Sequence, residues 1–282
     1  MAIANFIPEI WSAQLQTSLK KALVFGGVCN RDYEGEIANQ GDTVRITTIS
    51  RPTVAAYTKD STVIAPETLT DAQRNLVIDQ AYYFAFEIDD IDKRQSANGG
   101  ALMAEAAQEA AYALADTIDQ YIVTIFAAGT AAANIVAATS RATSDLCLAG
   151  IIDLKTLLDV ANVPTQGRYC IIPPWVHAKL LLQDEWIVAD ALQGGQGLGN
   201  GQVGRLMGFD MLLSNNGTLS DTNNDTMVYA GYPGAITLAT QIDKVEAYRP
   251  QTSFSDALKG LILWGVKVVR PTAIATSVFS QT

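Results

Sequence analysis

The sequence predicts an α+β fold with mostly antiparallel strand pairing, and three observations carry that prediction. Stretches of strand character and stretches of helix character are segregated along the chain instead of alternating as βαβ units. Apolar residues fill 49% of the 282 positions and charged residues 17%, which supplies a sizeable core and excludes a disordered chain. From Met227 to the C-terminus the pattern is strand after strand: VYAG, AITLAT, KVEAY, then GLILWGVKVV before Arg270-Pro271. There is no internal repeat, and the length allows one large domain or two intimate ones.

Residues 1–40 read as an arm. A short amphipathic stretch (Ile10, Trp11, Leu15, Leu19, Leu23) precedes a segment with little periodicity. Phe6, Ile7, Ile10 and Trp11 need burial, against the chain's own core in a monomer or against a neighbour in an assembly. From Asp42 the pattern changes to period two, with Val44 and Ile46 alternating with Thr43, Arg45 and Thr47. Tyr82, Phe84, Phe86 and Ile88 repeat this alternation further on. The polar segment between, with Pro52 and Pro66, is too long for an ordinary connection and reads as an extended two-stranded flap. A lone hairpin of that size is marginal in water, so another surface, such as another subunit, is expected to order it.

Residues 97–128 are the strongest helix. Ser96 or Asn98 caps it, and the interior is rich in Ala, Leu, Glu, Gln and Met. At 100° per residue Met103, Ala110, Leu114, Ile118, Tyr121 and Ile125 share one side. Glu105, Glu109, Asp116 and Asp119 fall within an arc of roughly 80° on the other. No Lys or Arg lies between Ala101 and Ala128, so the stripe is purely acidic, which is costly at i,i+4 spacing. A second helix is expected over 145–162, a buried strand at RYCII, and a third helix over WVHAKLLLQD after Pro173-Pro174. A glycine-rich loop follows at 194–204, and RLMGFDMLLS reads as a strand.

Chemistry is scarce. Acids outnumber bases 29 to 19, a net charge of −10, the wrong sign for gripping nucleic acid. Cys29, Cys147 and Cys170 are odd in number and far apart, so neither a disulfide framework nor a zinc-thiolate site is indicated. The N-terminus shows no signal peptide. The longest uncharged run, between Asp119 and Arg141, is Ala-rich and interrupted by Gly129, Thr130 and Asn134, so the chain reads as soluble, with no membrane partner. His177 is the only histidine, which removes most triads and metal triads. Gly199 to Gly204 spell G-x-G-x-x-G, but helix precedes and strand follows, the reverse of the dinucleotide context. Asp221 to Asp225 begin like a calcium loop but lack its glycine and its final acid. Glu87, Asp89, Asp90 and Asp92 cluster at a strand end, with Lys93 and Arg94 beside them to neutralise the charge. No catalytic residue, cofactor or metal is predicted.

NVPTQGRYCIIPPWVHAKLLL at 162–182, GQVGRLMGFDMLLSNN at 201–216 and SFSDALKGLILWGVKVVRPTAIA at 253–275 resemble, in that order, segments of major capsid proteins of tailed bacteriophages. The resemblance implies the Hong Kong 97-like phage capsid fold, in the branch whose coat proteins work with separate scaffolds. Residues 1–40 then correspond to the N-terminal arm, and 41–144 to the extended loop plus long spine helix of the peripheral domain. Residues 145–235 correspond to the axial domain, and 236–282 to the strands that close the peripheral domain. The arm residues Phe6, Ile7, Ile10 and Trp11 and the loop residues Arg51, Tyr57 and Lys59 become inter-subunit contacts. Glu105, Glu109, Asp116 and Asp119 become an inner acidic face that keeps DNA from adhering.

The function so implied is self-assembly as pentamers and hexamers into an icosahedral shell around double-stranded DNA. The shell forms in the bacterial host cytoplasm, with a portal and a separate scaffolding protein as partners. No charged helical prodomain precedes the arm, which is the reason to expect that scaffold. The type member of the fold joins a loop lysine to an asparagine. Here Lys59 lies in the flap, but no asparagine follows Asn224, so a non-covalent shell is expected. Two other readings compete: a cellular encapsulating nanocompartment with enzyme cargo, and a nucleotide-dependent cytoplasmic enzyme using the loop at 194–204.

Overall fold

The computed structural model describes residues 24–32, 43–49, 52–61, 63–64, 66–68, 71–91, 101–182, 204–217 and 225–281. Its elements run α1 (Phe25–Val28), β1 (Thr43–Ile49), β2 (Asp71–Val77), β3 (Gln80–Asp89), α2 (Ala101–Gly129), β4 (Ile135–Ser140), α3 (Ser144–Val160), β5 (Arg168–Ile172) and α4 (Pro174–Leu180). Then follow β6 (Arg205–Leu206), β7 (Phe209–Leu213), β8 (Thr226–Gly231), β9 (Ile236–Tyr248), β10 (Ser255–Val268) and β11 (Ile274–Ser280). They build three sheets: the pair β1-β2, a three-stranded sheet in the order β3-β10-β9, and a six-stranded sheet in the order β4-β11-β8-β5-β7-β6. Among the described residues, pairing is antiparallel except at β4–β11 and β5–β7. The α+β architecture with mainly antiparallel strands is therefore as the sequence predicts.

Differences from expectation have local causes. RLMGFDMLLS is a hairpin, not one strand, because Met207 (φ 52°) and Gly208 (φ 89°) both take left-handed conformations and turn the chain between β6 and β7. AITLAT and KVEAY fuse into β9, whose register against β10 slips between Ile242 and Lys244, absorbing one residue as a bulge. The uncharged run after Asp119 divides between the end of α2 and β4. No helix among the described residues is long and apolar enough to cross a membrane. The six-stranded sheet takes β4 from before residue 145 and β11 from after residue 236.

One core joins α2 and α3 to the six-stranded sheet and to β10. It is centred on Phe126, Tyr229, Phe209, Phe279 and Trp264. Phe126 and Tyr229 meet edge to face at 5.0 Å, and Phe25 of α1 meets Tyr229 in the same way at 5.5 Å. In α3 the Thr143 hydroxyl accepts from Leu146 N–H and caps the first turn. Arg168, 2% exposed, closes the other end. Its guanidinium donates to the carbonyls of Val163 and Pro164 and to Asp159 Oδ1.

The face that α2 buries is turned by roughly 70° from the expected one. It consists of Ala107, Ala111, Leu114, Ala115, Ile118, Ile122 and Phe126, whereas Ala110, Tyr121 and Ile125 are only half-buried. Small and large side chains share this face, the three alanines lying buried among Leu114, Ile118, Ile122 and Phe126, so burial is set by what packs on the helix and not by side-chain size.

Candidate functional site

With so little reactive chemistry in the sequence, the surfaces become the candidate site, beginning with the flap. β1 and β2 pair antiparallel from Thr43↔Val77 to Ile49↔Asp71. The same register continues outward: Thr53 donates through its N–H and hydroxyl to the Glu67 carboxylate at 2.9 and 3.3 Å. The chain reverses at Thr58–Ser61, where Asp60 has φ 64° and Ser61 N–H donates to Thr58 C=O. Tyr57 and Lys59 thus flank the tip. Val54 is 94% exposed, Val63 91%, and Ile64 and Tyr57 are also far from any cover in the single chain. Large side chains left this bare make the flap tip a candidate contact surface.

The flap base, in contrast, is ordered by its own chain, which corrects the expectation that an outside surface is needed there. Val44, Ile46 and Leu76 are buried together with Ala239 of β9. Arg74 donates to the Val268 carbonyl at 3.2 Å. Gly265 lies against the β2 end so closely that a Cβ there would sit 2.2 Å from the Val77 carbonyl oxygen. Beside this contact a cleft of about 450 Å³ opens between the flap base, α2 and β10. Val77, Tyr121, Ile125 and Val266 line its apolar part, and Arg74 and Lys267 its charged part.

The acidic stripe of α2 does not hold as a four-residue solvent face. Asp119 is 3% exposed, and that expectation is corrected. It lies at the edge of the stripe toward which the buried face is turned, so that rotation carries it inward. There its carboxylate accepts N–H bonds from Val24 (3.1 Å), Phe25 (3.4 Å) and Gly26 (3.4 Å), the unpaired amides that open α1. Burial pushes its pKa above the ordinary aspartate value; the three N–H bonds pull it down, and the charge of Asp116 adds a smaller push upward. Asp116 is half-buried and accepts from Asn216 and Gln120, while Glu109 is exposed. Glu105 lies within α2, but its side chain is outside the described residues, as are Phe6, Ile7, Ile10, Trp11 and Arg51.

α1 is therefore the root by which the N-terminal segment is fastened. Phe25 is fully buried. Asn30 bridges in parallel to Thr237, donating to Ile236 C=O and accepting from Leu238 N–H, so residues 24–30 tie α2 to β9. Sequence reasoning missed this anchor, whose only signal is an acid set between Ile118 and Ile122.

It also missed the tip of the β9–β10 hairpin. There Arg249 pairs with Asp90 and Asp256, Asp90 N–H donates to Phe254 C=O, and the Ser253 and Ser255 hydroxyls contact Glu87 Oε2. The acids that clustered in sequence at Glu87, Asp89 and Asp90 thus have protein partners; Asp92 lies outside the described residues.

The cysteines are not poised as nucleophiles. Burial pushes the Cys29 and Cys170 thiols up to about 12 and raises Cys147 as well. Half-buried in α4, His177 has its pKa lowered by burial. No group of three metal-ligating side chains occurs among the described residues. Of the glycine loop at 194–204, only Gly204 is described.

Residues 71–277 match the sequence model of a family described as phage capsid protein. A solved chain from Mycobacterium phage Che8 is 32% identical, with TM-score 0.74, over 92% of this chain and 91% of that one. The capsid of cyanophage P-SCSP1u shares 17% identity at TM-score 0.68 over 86% and 85% of the two chains. A virus-like particle from Pyrococcus furiosus shares 14% identity at TM-score 0.59 over 96% and 99%. No curated protein sequence matches the chain.

Proposed function

The chain belongs to the phage capsid protein family, and from that premise we propose that it is the major shell protein of a tailed-phage virion. Copies join as pentamers and hexamers into an icosahedral shell around double-stranded DNA. The flap carries this reading: its base is locked to β9 and β10, whereas its apolar tip is left uncovered by a single chain. Under the same reading residues 1–40 are the arm, 41–144 the loop and spine, 145–235 the axial domain and 236–282 the closing strands. Phe6, Ile7, Ile10, Trp11, Arg51, Tyr57 and Lys59 make contacts between copies. A separate scaffolding protein and a portal take part, and assembly proceeds in the bacterial host cytoplasm.

Electron microscopy with sedimentation of the expressed chain, alone and with scaffold, tests the proposal. Closed shells, or rings of five and six, are the expected result; a chain that stays monomeric with scaffold present overturns it. A compartment that encloses protein cargo is the second reading, favoured by the fold likeness to the Pyrococcus furiosus particle. DNA inside particles purified from infected cells excludes it, and protein cargo establishes it.

Under this reading Glu105, Glu109 and Asp116 are the inner acidic face; Asp119, which is buried, is left out of it. Reversing Glu105, Glu109 and Asp116 to Lys gives the lining a charge that holds DNA. Particles of normal size with several-fold less packaged DNA are expected. Unchanged DNA content overturns the role of this face.

A further inference from the structure

The three-stranded sheet has unlike ends. At one end the β9–β10 hairpin holds Phe254 out to solvent, 84% exposed. Its loop is braced by Arg249 between Asp90 and Asp256, by Asp90 N–H on Phe254 C=O (2.9 Å) and by Ser253 and Ser255 on Glu87. Among the described residues this end sets Glu87, Asp89, Asp90 and Asp256 against Arg249, with Asp92, Lys93 and Arg94 following in sequence, so acids still outnumber bases. At the other end β10 finishes beside the cleft of about 450 Å³, whose apolar wall includes Val77, Tyr121, Ile125 and Val266. Arg74 and Lys267 line that cleft, Arg270 follows Lys267 by three positions, and Asp79 is the one acid among its described lining residues. The charges of the two ends are opposite, and an aromatic knob stands at one end with an apolar recess at the other.

We propose that the Phe254 tip of one copy docks in the Arg74/Lys267 cleft of the next, so that the three-stranded sheets join head to tail. The inference rests on the shell reading. A contact between two different patches is heterologous, and repeated by rotation it closes a ring, as pentamers and hexamers require. The braced loop presents Phe254 already ordered, so docking forfeits little conformational entropy. Opposite charge around the contact selects the tip-to-cleft pairing over tip-to-tip, where acids would face acids. A cleft of this volume takes an aromatic side chain with room to spare.

Cross-linking tests the contact. Cys29, Cys147 and Cys170 are buried, so a chain carrying Phe254→Cys and Lys267→Cys offers two accessible thiols. They stand at opposite ends of β10, about 40 Å apart, which excludes a bond within one copy. Assembled particles treated with a short bis-maleimide and run under denaturing conditions are expected to give a series of dimers, trimers and higher species. Either single variant alone is expected to remain monomeric. Dimers from Phe254→Cys alone reveal a tip-to-tip contact and overturn the proposal. Intact particles without the series also overturn it, leaving the shell reading in place, and a native chain that never assembles overturns both. Phe254→Ser gives an independent measure. It should leave thermal stability unchanged and raise the concentration needed for assembly by about tenfold or more; an unchanged threshold counts against the contact.

Discussion

Replacing Gly265 with alanine abolishes shell assembly while leaving most of the core folded. The Cβ of the variant would lie 2.2 Å from the Val77 carbonyl oxygen, 2.9 Å from its carbonyl carbon and 3.0 Å from Ile78 Cα. All three are backbone atoms at the end of β2, so no side-chain rotation relieves the clash. Either the strand moves or the protein carries a cost in the upper part of the roughly 1–3 kcal/mol range for overpacked sites. Movement is the easier course, because among the described residues the flap base is held by a small cluster (Val44, Ile46, Leu76 and Ala239, with Ile78 and Val269 against it) and by the Arg74–Val268 bond. A small rotation there becomes a large displacement at Tyr57 and Lys59. Hydrogen exchange is expected to show faster amides across the Thr43–Val77 ladder and unchanged protection in β5, β8 and β11. Microscopy is expected to show no closed particles. Normal shells from this variant mean that the flap base does not need its present seat.

Much of the fold was legible because its elements obey local rules. Val44 and Ile46 alternate and are buried together, RYCII is short and apolar and is buried at every position, and the turn residues Pro173-Pro174 start α4 where expected. Local rules fail where distant backbone decides. Met207–Gly208 breaks a strand-like run because two left-handed residues fit a hairpin better than an extended chain. The buried face of α2 is chosen by what packs on it: Asp119 and the small Ala107, Ala111 and Ala115 are buried while Tyr121 and Ile125 are only half-buried, which no hydropathy periodicity rewards. The assembly surfaces were legible in part. A flap too long to be a connection was visible as such, whereas Phe254 looked like an ordinary apolar residue between two serines. Its exposure follows from the loop that Arg249, Asp90 and Glu87 brace, and Glu87 and Asp90 are far from that loop in sequence.

Asp119→Ala detaches the root of the N-terminal segment. The amides of Val24, Phe25 and Gly26 lose their acceptor, and the Phe25 and Gly26 groups are buried, so each orphaned N–H costs about 1–3 kcal/mol. A total of roughly 3 kcal/mol exceeds what a four-residue helix retains unaided, and residues 24–26 are expected to leave α2. Asp119→Asn is milder but still unfavourable, because both carboxylate oxygens accept N–H bonds in the native chain and one becomes an NH₂ facing a donor. The pH dependence has a definite sign. Burial raises the folded-state pKa of Asp119 above its unfolded value, so the fold binds this proton more tightly than the unfolded chain does. The ionised carboxylate is therefore a cost carried above the folded pKa and relieved as pH falls through it toward the ordinary aspartate range. Relative to Asp119→Asn, which has no such proton, the native chain is expected to gain stability as pH is lowered from 7 through that window. Paired unfolding curves across those pH values check it, since taking the difference cancels the carboxylates the two chains share. If the native chain loses ground to the Asn variant on acidification, the N–H bonds from α1 outweigh burial, and the root is held by the charge of Asp119 despite its desolvation.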